Sequence, residues 1–172
     1  MVDTPLPLDF NSEQLPEIHT NYHEPFHSIY GKVLFISHWR PDISIAKTKL
    51  AQFMHKYSSY HWECLMHLCT YLHYNRDLGM IMKRSPTWEI GKTKCVCISD
   101  AGELANPNSK SCSIIGHVLI LEGNIVSFKS KLSTCVNTDA SHAELVGLYA
   151  ATKKIKCIEF IFKPFAWSRV LP

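Results

Sequence analysis

Apolar residues recur at intervals of three and four in the first half of the chain, and at intervals of two further on. Phe26, Ile29, Tyr30, Val33, Leu34 and Ile36 predict a helix over Phe26 to Trp39 with one broad apolar face. Arg40-Pro41-Asp42 restarts the chain, with Pro early in a helix and Asp in its first turn. Ile43, Ala46, Leu50, Phe53 and Met54 then keep helical spacing, with Lys47, Lys49 and Gln52 on the other side. Ser58 or Ser59 can cap a third helix whose stripe is Trp62, Leu65, Cys69 and Leu72. Three such helices predict a small bundle.

The period changes to two at Cys95-Val-Cys-Ile-Ser-Asp100, where Val96, Ile98 and Asp100 alternate with Cys95, Cys97 and Ser99. One face is therefore apolar and ends on a carboxylate, which predicts a buried strand with Asp100 at its tip. Strand-like runs follow from Cys112 to Leu121 and from Asn124 to Lys131, and Gly123-Asn124 supplies hairpin chemistry between them. Both sides of the first run are apolar, as in a strand covered on two faces. Asp139 is a good N-cap for a helix from Ala140 to about Ile155. Ala143, Gly147, Ala150 and Ala151 give that helix a small-residue face able to lie close on a sheet, which would carry Glu144 toward Asp100. Lys163-Pro164 predicts its stop.

A carboxylate ending a buried strand must be paired, hydrogen-bonded or bound to a cation. Two that converge suit Mg²⁺, and two-metal phosphoryl enzymes hold ions about 3.5–4 Å apart on such oxygens. The same residues also fit a plainer reading. Asp100-Ala-Gly102 is an ordinary strand-to-turn sequence, and Glu144 suits a solvated position near a helix N-terminus. Spacing leaves both open.

Taken in order, Ile98-Ser-Asp100-Ala, Ser113-Ile-Ile-Gly-His-Val, Gly123-Asn-Ile-Val-Ser-Phe-Lys-Ser130-Lys and Ala140-Ser-His-Ala-Glu144-Leu form a recognisable series. It resembles the ribonuclease H domain of copia-type retrotransposon Pol polyproteins. Upstream, Tyr30-Gly-Lys-Val-Leu-Phe, Arg40-Pro-Asp-Ile-Ser-Ile-Ala46, Leu50-Ala-Gln-Phe-Met54, His61-Trp62 and Thr70-Tyr-Leu-His-Tyr-Asn-Arg-Asp-Leu-Gly79 resemble the segment between the polymerase palm and that domain. The resemblance implies an α/β (α+β) chain. A thumb- or connection-like helical bundle would precede an incomplete ribonuclease H-like mixed sheet with a packed helix. It implies an extended linker over 1–21, the bundle over 22–80, a join over 81–92, the partial domain over 93–159 and a divergent tail over 160–172.

In the family, that domain hydrolyses the RNA strand of RNA–DNA hybrids with two Mg²⁺ or Mn²⁺ ions. Asp100 and Glu144 match two of its four metal-binding carboxylates. The departures are specific. Phe128 replaces a Trp, His117 a Tyr, His142 the first Glu of E-A-E, and Leu145 a Tyr, while Gly102-Glu103 stands where relatives show an Asp-Trp pair. The third and fourth carboxylates would lie beyond the helix, the tail offers no Asp, and no Asp-Asp pair of a polymerase occurs. The expectation is a truncated Pol fragment with little or no activity. A frameshift or premature stop in a decayed element would give such an end. Non-catalytic nucleic-acid binding, interference with assembly, or no function are the alternatives.

Composition adds little. A net charge of +3 over 172 residues permits contact with an RNA–DNA hybrid or duplex without arguing for it. Lys47, Lys49, Lys56, Arg76, Lys83 and Arg84 are candidate phosphate contacts or a solvated helix face. Trp62, Tyr57, Tyr60, Tyr71 and Tyr74 sit at spacings that suit a core. His19, His23 and His27 are four apart, but Pro25 interrupts them and no fourth ligand is near, so they read as surface residues. Seven scattered cysteines fit reduced thiols. No membrane span is expected. The resemblance places intact relatives in cytoplasmic virus-like particles with Pol and Gag, or in the nucleus.

Overall fold

The structure is a computed structural model that describes residues 2–10, 25–84, 94–102, 112–136 and 139–167. The described residues form an α+β fold with four α-helices and a three-stranded antiparallel sheet. Described residues up to Met80 fall in one compact unit and those from Ile81 onward in another.

In the first unit, α1 (Phe26–Ile36), a 3-10 turn (Pro41–Ile43), α2 (Ser44–Ala51) and α3 (Ser59–Tyr74) enclose one core. Phe26, Tyr30 and Val33 of α1 meet Ile43, Ala46 and Leu50, and Cys64, Leu65 and Leu68 of α3. Phe26 stacks on Tyr57 with ring centroids 4.6 Å apart, and the Tyr30 hydroxyl donates to the Lys47 carbonyl at 2.8 Å. Burial pushes the Tyr30 phenol up to about 12. The second helix is shorter than its apolar spacing suggests, because Phe53 and Met54 lie in turns after Ala51.

The capping residue of α3 is Ser58. Its side chain meets the N3 backbone, and its N–H donates to Nδ1 of His61 at 3.1 Å. His61 is fully buried and stacks on Phe53 at 3.9 Å. The buried stripe of α3 is therefore His61, Cys64, Leu65, Leu68 and Tyr71, while Trp62, Cys69 and Leu72 flank it half-buried. Apolar spacing alone shifts the stripe by one residue, since it overlooks a histidine that burial keeps neutral.

Arg40 is buried under a network of its own. Its guanidinium forks onto Asp42, with Nη2 at 2.7 Å from Oδ2 and Nε at 2.9 Å from Oδ1. Nη1 donates at 2.8 Å to the carbonyl of Asn75, the C-cap of α3, and the Tyr71 hydroxyl donates to Asp42 at 3.0 Å. The Arg-Pro-Asp triplet thus ties the start of the 3-10 turn to the end of α3, satisfying an orphan carbonyl.

Residues 2–10 belong to the stretch read as an extended linker, but they dock on this unit. Val2, Leu6 and Phe10 pack against the core, Nε2 of His67 meets the Thr4 carbonyl at 3.0 Å, and Phe10 stacks on Tyr60. The remainder of the linker, with His19 and His23, lies outside the described residues. His27 is exposed.

In the second unit, β1 (Cys95–Ala101), β2 (Ile114–Leu121) and β3 (Asn124–Leu132) lie side by side in that order, all antiparallel. Glu122 and Gly123 form the tight turn with φ of 49° and 80°, so both central residues are left-handed. That is the hairpin turn whose twist matches the strands. The turn falls one residue earlier than Gly123-Asn124. Asn124 opens β3, and its side-chain amide clamps the Lys83 backbone, accepting at 2.6 Å and donating at 2.8 Å.

α4 (Ala140–Trp167) packs across β1 and β2. It is capped by Asp139, whose Oδ1 accepts from the His142 N–H at 2.7 Å. The helix continues past Pro164 to Trp167, beyond the stop expected at Lys163-Pro164.

Candidate functional site

The sheet-facing stripe of α4 is Ala143, Gly147 and Ala151, all buried. A Cβ on Gly147 would stand 3.7 Å from the Asp100 carbonyl oxygen, so the helix rides almost on the β1 backbone. Facing it are small residues. Cys95, Cys97, Ser99 and Ala101 are half-buried, and their β2 partners include the buried Ile115 and Leu119. Small against small is what permits this separation.

The face that looked like the buried one is the exposed one. Val96 is 40% exposed, Ile98 58% exposed, and Asp100 shares their side. The apolar alternation misleads here because α4 covers the Cys-Ser-Ala side. Asp100 pairs with Gly116 across the strands, so no side chain neighbours it there. Glu144 lies in the first turns of α4 and is also exposed. The structure brings their two elements together at Gly147 and leaves both side chains in solvent. Among the described residues, no three His, Cys, Asp or Glu side chains come together in an arrangement able to hold a metal ion. That donor set does not fit a two-metal centre, which needs more oxygens than two exposed carboxylates supply.

Beside α4, sequence reasoning missed another cluster. β3 carries a bulge between the pairs Leu119↔Ser127 and Ile120↔Ile125, leaving Val126 as the extra residue. Beyond it, Lys129 pairs with His117 and Lys131 with Ile115. Both lysines therefore share the face that α4 covers, while Phe128 pairs with Val118 on the other face. Nε2 of His117 is buried without a hydrogen-bond partner. Burial, together with the charges of Lys154, Lys129 and Lys131, holds the His117 ring below the ordinary imidazole range. No pattern in the sequence signals this cluster, since it depends on one bulge.

The remaining candidates are dispersed. Lys56, Arg76, Lys83 and Arg84 are exposed, and Lys49 sits over the Phe10 ring at 5.4 Å. Tyr71 is buried and Tyr57 and Tyr60 are half-buried, as core and boundary residues should be, whereas Tyr74 is 61% exposed. Among the described residues, no helix is long and apolar enough to cross a membrane.

The chain is 28% identical over 119 residues to the retrovirus-related Pol polyproteins from transposons RE2 and RE1 of Arabidopsis thaliana. The match takes in 69% of this chain and 8% of each polyprotein. These matches support a retrotransposon Pol origin. The chain is also 28% identical over 131 residues to the secreted RxLR effector protein 161 of Plasmopara viticola, covering 76% of this chain and 88% of that protein. No family model matches, and no solved structure matches. The chain spans less than a tenth of the polyproteins it matches.

Proposed function

We propose that this chain is a non-catalytic segment of a copia-type Pol polyprotein, holding the region after the polymerase palm and the first part of a ribonuclease H-like domain. The observation that carries this reading is the placement of the motif series. Ile98-Ser-Asp100-Ala falls on β1, the Gly116 and Gly123–Lys131 motifs on the β2–β3 hairpin, and Ala140–Leu145 on the helix packed against β1. Asp100 and Glu144 are the remnants of a metal-binding carboxylate set, each held by the element that would present it. Two exposed carboxylates do not replace four. The test is cleavage of a labelled RNA–DNA hybrid by the purified chain in Mg²⁺ or Mn²⁺. The reading expects no product above background. Product that disappears with Asp100→Asn overturns it.

A second reading keeps the chain as a non-catalytic nucleic-acid-binding remnant, and the similarity over 88% of a protein that is not a polyprotein by name agrees with a role outside an intact Pol. Binding of a hybrid or duplex that weakens steeply with salt supports this version. Binding that is absent at low salt removes nucleic acid as the partner.

A further inference from the structure

We infer that the groove between α4 and β3 is an anion site that takes a phosphate group, formed by Lys129, Lys131 and Lys154 around His117. Three elements build it. β2 supplies the floor, where Nε2 of His117 is buried and has no hydrogen-bond partner. β3 supplies one wall, because Lys129 stands directly across from His117 and Lys131 across from Ile115. α4 supplies the other: Lys154, three residues after the buried Ala151, stands exposed at the margin of the sheet-facing stripe, and its charge reaches His117. α4 packs over β1 and β2, which leaves β3 beside it as a shelf.

The bulge at Val126 makes the cluster. Without the extra residue, the alternation from the hairpin turn would send Lys129 and Lys131 to the opposite face, and Phe128 would meet His117 instead. The fold thus gathers three lysine positions around one histidine. The charges of Lys154, Lys129 and Lys131 all bear on the His117 ring. Like charges gathered in this way repel one another, and an anion relieves the repulsion. Phosphate suits the site because its oxygens accept charge-assisted hydrogen bonds from several ammonium groups at once. The inference does not depend on the Pol reading.

Free phosphate and the phosphodiesters of a strand share this chemistry. The test titrates the full chain with inorganic phosphate, and separately with a short oligonucleotide lacking terminal phosphates. His117 ring resonances are followed by NMR, against sodium chloride at matched ionic strength. Saturable movement of the His117 signals with either ligand supports the site and tells which source fills it. The Lys129→Gln and Lys154→Gln variants, shown folded by circular dichroism, should each weaken binding roughly tenfold, the scale of one charge-assisted hydrogen bond. Lys32→Gln, at an exposed position of α1, should leave it unchanged. His117 signals that move no more than with chloride, or equal affinity in all variants, overturn the inference.

Discussion

Gly147 of α4 and Asp100 of β1 meet through the backbone, and a Cβ on the glycine would lie 3.7 Å from the aspartate carbonyl oxygen. That is ordinary contact distance, so one carbon fits and a branched side chain does not. Gly147→Ala should be neutral or stabilising by up to about 1 kcal/mol, since alanine is the better helix former. Gly147→Leu should cost about 1–3 kcal/mol by lifting the helix off the strand. Urea unfolding followed by circular dichroism distinguishes the two, and equal effects would mean that the helix does not approach so closely.

The Arg40–Asp42 pair makes a second prediction. Burial works to raise the Asp42 carboxyl, but the hydrogen bonds from Arg40 and Tyr71 and the Arg40 charge outweigh it and hold the group below the ordinary carboxylate range. Asp42→Ala leaves a buried guanidinium without its partner and should destabilise the first unit by about 3 kcal/mol or more. Arg40→Lys should also lose stability, because an ammonium cannot fork onto Asp42 and reach the Asn75 carbonyl together. A change of less than about 0.5 kcal/mol in either variant would show that the network contributes little.

His61 gives the first unit a dependence on pH. Burial pushes its ring down from 6.5 to about 4. The folded state therefore releases the proton more readily than the unfolded chain does. The stability this confers is complete above pH 6.5 and is lost as pH falls toward about 4. The urea midpoint should fall over that interval and flatten in His61→Asn, which cannot titrate. A midpoint unchanged between pH 7 and pH 4.5 would contradict the placement of His61.

Much of the fold is legible in the sequence. Helical spacing in Phe26–Ile36, the Ser58 and Asp139 caps, the three strands and the small face of α4 all follow from local pattern. Face assignment is harder. Val96 and Ile98 look buried because they are apolar, yet the helix covers Cys97 and Ser99, which are small. Local spacing could not give the Arg40 network either, since its partners lie up to 35 residues away. The lysines around His117 depend on one bulge residue that no alternation rule marks. Asp100 and Glu144 were legible as motif residues, but whether their side chains converge depends on tertiary direction.

The most direct measurement is therefore Mn²⁺ titration of the ¹⁵N-labelled chain, following paramagnetic broadening at Asp100 and Glu144. A remnant site predicts weak broadening spread over exposed carboxylates, unaltered in pattern by Asp100→Asn. Strong broadening centred on both residues at low Mn²⁺ and abolished by Asp100→Asn would show a working metal centre, and would contradict the account.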